Sequence, residues 1–200
     1  MDLFTTRQTN LLPCDGEVYY APAVLPREET EYYFNRLLQH IAWKQDEVIV
    51  YGKHITTQRK IAWYGDERYV YHYSNTTKYA LPWIDELLVL KGLVEAETNT
   101  VFNSCLLNLY HSGMEGVSWH SDDEAVLERY GLIASLSLGV ERNFVFKHKK
   151  TGQKVSVFLE RGSVLRMQGR TQDHWLHTLP KTTKVSEPRI NLTFRKIVAS

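Results

Sequence analysis

The sequence predicts a mainly β (α+β) fold, a double-sheet jelly roll supported by helices on its N-terminal side. Three observations carry this. Apolar residues at helical spacing are confined to the first hundred positions. From Phe102 onward the pattern changes to seven or eight short strand-like runs separated by turn residues. A length of 200 residues suits one domain with a substantial core. Within that single unit, residues 1–100 are expected to supply an arm, helices and a lid, and residues 101–198 the β core.

In chain order, residues 1–24 read as an irregular arm. Glu28 and Glu29 suit the first turn of a helix, and Phe34, Leu37, Leu38 and Ile41 follow at helical spacing, so a packing helix is expected over 26–42. Glu47 to Tyr51 is a short strand ending in a Tyr51-Gly52-Lys53 turn, and Arg59 to Trp63 is a second, ending at Tyr64-Gly65-Asp66. Tyr69, Tyr71 and Tyr73 alternate, which in a strand gives either a buried sheet face or an aromatic stacking wall. Pro82-Trp83 reads as the start of a second helix whose apolar side is Trp83, Leu87, Leu88 and Leu90. The later strands are Cys105–Tyr110, Leu132–Leu138, Asn143–Lys147, Val155–Leu159, Ser163–Gln168, Trp175–Leu179 and Arg189–Val198. The Lys149-Lys150-Thr151-Gly152-Gln153-Lys154 turn makes the third and fourth of these a hairpin.

Composition narrows the setting. The net charge is +1, so any affinity for a polyanion must come from a local patch. Twelve Tyr and five Trp exceed what a core needs and point to stacking surfaces. Cys14 and Cys105 form no CxxC, which argues against a disulfide framework and for a reduced, cytoplasmic setting. No signal-peptide pattern opens the chain, and no apolar run is long enough to span a bilayer. A monomer without membrane association is expected.

The chemistry centres on Trp119-His120-Ser121-Asp122-Asp123-Glu124, read with His177. In an extended segment His120 and Asp122 point the same way, and a distant histidine closes a three-ligand site. Two imidazoles and a carboxylate make the facial triad of non-haem Fe(II) oxygenases. His-x-Asp alone is also what a loop histidine beside a capping aspartate looks like. His174 competes with His177 for the third position. The C-terminus adds Arg189 and Arg195, six apart and therefore on one face of a strand, able to hold a carboxylate such as those of 2-oxoglutarate.

Together, His120-x-Asp122, His177, Arg189-x-Asn191-x-Thr193-x-Arg195 and Asn108-x-Tyr110 resemble the AlkB family of Fe(II)/2-oxoglutarate dioxygenases, over about Val50 to Val198. The resemblance implies a double-stranded β-helix, with Fe(II) held by His120, Asp122 and His177 and with 2-oxoglutarate and O2 as co-substrates. It implies that Arg195 holds the distal carboxylate of 2-oxoglutarate, assisted by Asn108, Tyr110 and Thr193. Arg189 would then lie near the metal and pair with Asp122, with Asn191 between the two arginines.

The implied reaction is oxidative demethylation of N-alkylated DNA bases, 1-methyladenine and 3-methylcytosine, giving formaldehyde, succinate and CO2. Substrate contacts are expected from Tyr71 and Tyr73 around a flipped base, Glu124 on its edge, and Trp119 beside the first ligand. Asp123 either pairs with Arg59 to brace the lid or is a solvated acid. Tyr51 either plugs the gap left by a flipped base or ends a strand, which leaves strandedness open. Lys147, Lys149, Lys150 and Lys154 either grip phosphates or form a solvated tip. DNA is the expected partner, RNA the alternative through RNA demethylation or tRNA wobble-base hydroxylation. A non-catalytic nucleic-acid-binding module is the reading outside enzymology.

Overall fold

A computed structural model describes residues 8–50, 53–73 and 76–198. In chain order the elements are β1 (Glu17–Ala21), α1 (Arg27–His40), β2 (Lys44–Val50), β3 (Lys53–Gly65), β4 (Val70–Tyr73), β5 (Thr76–Tyr79), β6 (Leu81–Pro82) and α2 (Asp85–Thr98). They continue as β7 (Ser104–Tyr110), β8 (Val117–His120), β9 (Ile133–Gly139), β10 (Arg142–His148), β11 (Lys154–Leu159), β12 (Val164–Gln168), α3 (Thr171–His174), β13 (Trp175–Leu179) and β14 (Arg189–Arg195).

Two sheets face each other. The larger runs β1-β12-β9-β14-β7-β3-β2, with β6 added to β3, and the smaller runs β11-β10-β13-β8. This is the expected jelly roll, mostly antiparallel, and the two halves of the chain share one sheet through β3 and β7. The outward face of the larger sheet buries Leu107, Leu136, Leu138, Ile190, Leu192 and Phe194 against Leu37 of α1 and Leu87, Leu90 and Val94 of α2. Each such fully buried side chain stabilises the fold by about 1.5–3 kcal/mol. A second apolar cluster, with Phe146, Leu159, Leu165 and Trp175 at its centre, fills one end of the space between the sheets. The other end is lined by polar side chains interleaved with apolar ones and stays open as a cavity.

Local chemistry sets the boundaries. Glu28 and Glu29 in α1, and Asp85 and Glu86 in α2, lie at the positive ends of their helix dipoles. α2 ends on Asn99 in the left-handed region (φ 50°), a conformation Asn tolerates, and its N–H returns to the Glu95 carbonyl. Gly139 (φ +82°) turns β9 into β10, where an added Cβ would lie 2.5 Å from the Pro188 carbonyl oxygen.

Several expected boundaries are corrected. The arm over 1–24 is not wholly irregular, because Glu17–Ala21 pairs with β12 as an edge strand. Val18 and Tyr20 are its buried side, and the hydroxyl of Tyr20 donates to Glu160 Oε2 at 3.1 Å. Pro82 does not open α2; it ends β6, paired in parallel with β3, and the helix begins at Asp85. β14 ends at Arg195 rather than Val198. The tyrosine run is a strand from Val70 to Tyr73 only, with Tyr69 just before it, and it forms one arm of a hairpin with β5. No helix among the described residues is long and apolar enough to cross a membrane.

Candidate metal centre

His120 closes β8 and His177 lies within β13, and the two strands are antiparallel neighbours with these residues directly opposite. Directly paired residues present side chains on one face, so the imidazoles meet edge to face with centroids 4.3 Å apart. Asp122, in the loop just past β8, turns back between them. Its Oδ1 is 3.8 Å from His120 Nε2 and its Oδ2 is 4.0 Å from His177 Nε2. One donor atom from each of the three lies within 4.8 Å of the others.

Hydrogen bonding and burial prepare the donors. His120 Nδ1 lies 2.8 Å from the Ser118 carbonyl oxygen, which only accepts, so Nδ1 is the donor and the ring is turned with Nε2 toward Asp122. Burial pushes the pKa of His177 down to about 4, with Asp122 opposing the shift, so this imidazole is neutral near pH 7. Its Nδ1 has no hydrogen-bond partner among the described residues. The ring is held by packing instead, against Phe144 at 5.3 Å and Phe146 at 6.1 Å between centroids. Burial alone would raise the pKa of Asp122, but Arg195 and the two imidazoles outweigh it and keep the carboxyl below its ordinary range. The Asp122 backbone N–H donates to Gln172 Oε1 at 3.0 Å, and Ser121 Oγ donates to the Trp175 carbonyl at 3.2 Å. Two imidazoles and one ionised carboxylate, converging from one side, fit the donor set of a non-haem Fe(II) site.

The triad lies on one wall of a cavity of about 450 Å³. Asn108, Tyr110, Arg189, Asn191, Thr193 and Arg195 line it from the larger sheet. They meet because Arg189 pairs with Tyr110 and Asn191 with Asn108 in the β7–β14 register. Arg189 Nη2 donates to Ser137 Oγ at 2.9 Å and its guanidinium lies 5.8 Å from the centre of the Tyr110 ring. Burial lowers its pKa to about 10, which leaves it charged near pH 7. Its Nε is buried without a hydrogen-bond partner among the described residues. A buried cationic donor left unpaired is costly, and a carboxylate in the cavity would satisfy it. Asn191 Nδ2 donates to Ser135 Oγ at 2.6 Å, and Thr193 Oγ1 to Asn191 Oδ1 at 3.1 Å.

The placement of the two arginines differs from the one expected. Arg195, not Arg189, lies beside the metal ligand: its Nη1 is 3.9 Å from Asp122 Oδ1 and 3.3 Å from Glu124 Oε1. β14 ends at Arg195, opposite Ser104, whereas Arg189 lies at the other end of the strand, opposite Tyr110. Asp123 does not pair with Arg59; Arg59 forms an ion pair with Asp46 of the adjacent strand β2. His174 is not a ligand, because α3 turns it to stack on His148. Glu124, Asp123 and Arg59 line the cavity, but Trp119 faces away from it, as strand alternation beside His120 requires. There it meets Lys147 and Lys154. Lys149 donates to the Gln172 carbonyl oxygen at 2.7 Å, and Lys150 is exposed in the turn. Tyr51 lies outside the described residues, as do the side chains of Tyr71 and Tyr73. Sequence reasoning missed Ser118, Phe144 and Gln172, which orient the ligands, and Asp46. None carries a motif, and each is found only through the fold.

The family model of the 2OG-Fe(II) oxygenase superfamily matches residues 17–195. Alpha-ketoglutarate-dependent dioxygenase alkB homolog 3 of Bos taurus is 38% identical over 91% of the chain and 66% of its own length. DNA oxidative demethylase ALKBH2 of Mus musculus is 36% identical over 94% of the chain and 81% of its own. The chain spans 62 to 66% of the length of four mammalian alkB homolog 3 proteins. Among solved structures, OsALKBH1 superposes with a TM-score of 0.64 at 17% identity, covering 90% of this chain and 97% of that one, which is a likeness of fold.

Proposed function

The chain belongs to the 2OG-Fe(II) oxygenase superfamily, and we propose that within it this protein demethylates N-alkylated DNA bases, 1-methyladenine and 3-methylcytosine, releasing formaldehyde while 2-oxoglutarate becomes succinate and CO2. The observation that carries the reading is the pairing across one cavity of a facial triad with a buried arginine that lacks a partner for Nε. The relatives named DNA oxidative demethylases supply the substrate class.

His120, Asp122 and His177 would hold the iron, and Arg189, Tyr110 and Asn108 the far carboxylate of 2-oxoglutarate. Bound together, iron and 2-oxoglutarate supply the activation of O2 that hydroxylates the methyl carbon. The remaining steps belong to the chain. Arg195 keeps Asp122 ionised and aimed. Asn191 and Thr193 hold the floor of the cavity through their mutual bond. Glu124 carries a buried Oε2 without a hydrogen-bond partner among the described residues, beside the triad. An exocyclic amine of adenine or cytosine is the donor such an oxygen would take, which brings the Watson–Crick edge and its methyl group toward the iron ligands. A base in that position has left its stack.

The test uses purified protein with Fe(II), ascorbate and 2-oxoglutarate, and matched oligonucleotides bearing one 1-methyladenine as single-stranded DNA, duplex DNA and RNA. Mass spectrometry reads methyl loss and succinate. Loss of the methyl group from DNA with succinate formed is expected. Faster loss from RNA would move the substrate to RNA. Succinate with no demethylation would sink the assignment while keeping the oxygenase. Neither product, with iron bound, would favour a binding module.

A further inference from the structure

The smaller sheet has two unlike faces. Its inner face carries His120, His177, Phe146 and Trp175 into the cavity and core. Among the described residues no helix covers its outer face: α1 and α2 pack against β9 on the other sheet. Trp119 and Phe158 lie on that open face, 37% and 52% exposed. The outward positions of the four strands also include Asn143, Lys147, Lys154 and Ser156, and none of the outward residues is acidic.

One feature of this face works against stability. Lys147 and Lys154 are direct cross-strand partners in the β10–β11 hairpin. Like charges in that relation repel and weaken a sheet. Both ammonium groups lean over the Trp119 ring, at 4.7 and 6.0 Å from its centre, which offsets only part of the repulsion. A sequence that breaks a local rule in this way usually does so for function. The group that relieves a paired-lysine repulsion is an anion, and the group that covers an exposed indole is a flat ring. A nucleotide provides both, at the spacing of base and phosphate.

The position supports the same occupant. β8 is the edge strand, and Trp119 lies on the opposite face from His120, its neighbour in the chain. Val117, His120 and Ser121 line the cavity, so only the thickness of β8 separates the cavity from the indole. We propose that the outer face of the smaller sheet is a docking surface for the unpaired nucleic-acid strand flanking the target base, with a base stacked on Trp119, its phosphates on Lys147 and Lys154, and the strand continuing toward Phe158. This rests on the demethylase reading and extends it from one flipped base to the strand that carries it. Open sheet faces with exposed aromatics hold single strands in this way, by stacking without reading sequence.

The experiment measures binding and turnover separately. Fluorescence anisotropy follows a labelled, unmethylated single-stranded 15-mer on the wild type, Trp119→Ala, Trp119→Phe, Lys154→Ala and Ser156→Glu. Trp119→Ala is expected to weaken binding about ten-fold or more, and Trp119→Phe to restore much of it. Lys154→Ala should weaken binding and flatten its salt dependence by about one counterion, yet raise the melting temperature by removing the like-charge pair. A merely structural lysine would lower both. Ser156→Glu should weaken 15-mer binding but leave turnover of a methylated trinucleotide unchanged, because Ser156 lies on β11, the edge of the sheet opposite β8 and the cavity, beyond the reach of a trinucleotide. Unchanged 15-mer affinity in Trp119→Ala and Ser156→Glu, with demethylation intact, would overturn the docking surface and leave the demethylase. Trp119-dependent binding by a protein that demethylates nothing would overturn the demethylase and keep the surface. A wild type that does not bind the 15-mer would overturn the surface.

Discussion

Gln172 Oε1 accepts the backbone N–H of Asp122 at 3.0 Å, which ties the carboxylate ligand to the helical turn that precedes β13. Gln172 also donates from Nε2 to Met167 Sδ at 3.7 Å, and its carbonyl accepts Lys149 Nζ at 2.7 Å. One residue thus braces the loop that follows β8 against β12 and the basic hairpin. Asp122 has no strand of its own to hold it, since β8 ends at His120. Gln172→Ala is therefore expected to weaken metal binding about ten- to a hundred-fold, the usual effect of losing a ligand's support. Titration with Mn(II), read by calorimetry, measures it. Asp122→Ala removes the ligand and should abolish both binding and turnover. An affinity in Gln172→Ala equal to wild type would show that the loop holds its own shape.

The two arginines of β14 should fail differently. Arg189 contacts Ser137 and Tyr110 and has a donor to spare for a carboxylate, whereas Arg195 is engaged with Asp122 and Glu124. Lysine keeps the charge but loses the fork. Arg189→Lys is expected to raise KM for 2-oxoglutarate about ten-fold or more, with metal affinity kept. Arg195→Lys is expected to weaken metal affinity and kcat, with the smaller change in KM. Steady-state kinetics in 2-oxoglutarate, run beside the metal titration, separates the cases. The opposite split would restore the assignment made from the sequence pattern.

That difference in placement shows what the sequence carried and what it did not. The residue types at His120, Asp122, His177 and along Arg189 to Arg195 announced the chemistry, because few other constellations need two imidazoles, a carboxylate and an arginine fork. Alternation also placed Arg189 and Arg195 on one face. Which end of β14 approaches the metal depends on how β8 and β13 lie over the larger sheet, and no period in the sequence encodes that. The partner of Arg59 was hidden for the same reason: Asp46 faces it across the β2–β3 pair, whose register shifts between Gln45 and Glu47. β1 escaped notice because an edge strand needs only one apolar side, and Glu17 and Tyr19 interrupt the pattern.

Phe144 should matter to His177 more than its size suggests. His177 Nδ1 has no hydrogen-bond partner among the described residues, so the ring depends on packing for its orientation. Phe144 lies 5.3 Å away at a 30° tilt and lines the same cavity. Phe144→Ala is expected to destabilise the fold by about 1–2 kcal/mol, less than a fully buried large-to-small change because Phe144 is partly buried and borders the cavity. It should also weaken metal binding, because the imidazole gains rotational freedom. Phe144→Leu restores most of the volume and should recover stability before it recovers metal affinity. Denaturant midpoints and metal titrations on both variants test this; parallel recovery of the two would make Phe144 a filler of space only.

Acid should destabilise the metal-free protein through the same histidine. Burial holds the pKa of His177 at about 4, below its ordinary 6.5. Between those values the unfolded chain takes up a proton that the folded chain does not, so stability rises with pH across the window and falls on acidification. A gap of this size corresponds to about 3 kcal/mol, since one pKa unit is about 1.4 kcal/mol. The folded pKa of Asp122 is also depressed, below 3.8, so its contribution is present above that value and is lost as pH falls through the lower folded one. Both effects have the same sign and follow one another as pH falls. Urea midpoints measured on the metal-free protein at neutral pH and down to about pH 4 should show a loss of stability that is largely absent in His177→Gln. An equal slope in that variant would place the acid sensitivity elsewhere in the fold. In the metal-loaded protein the slope should steepen, because protons then compete with the ion for Nε2.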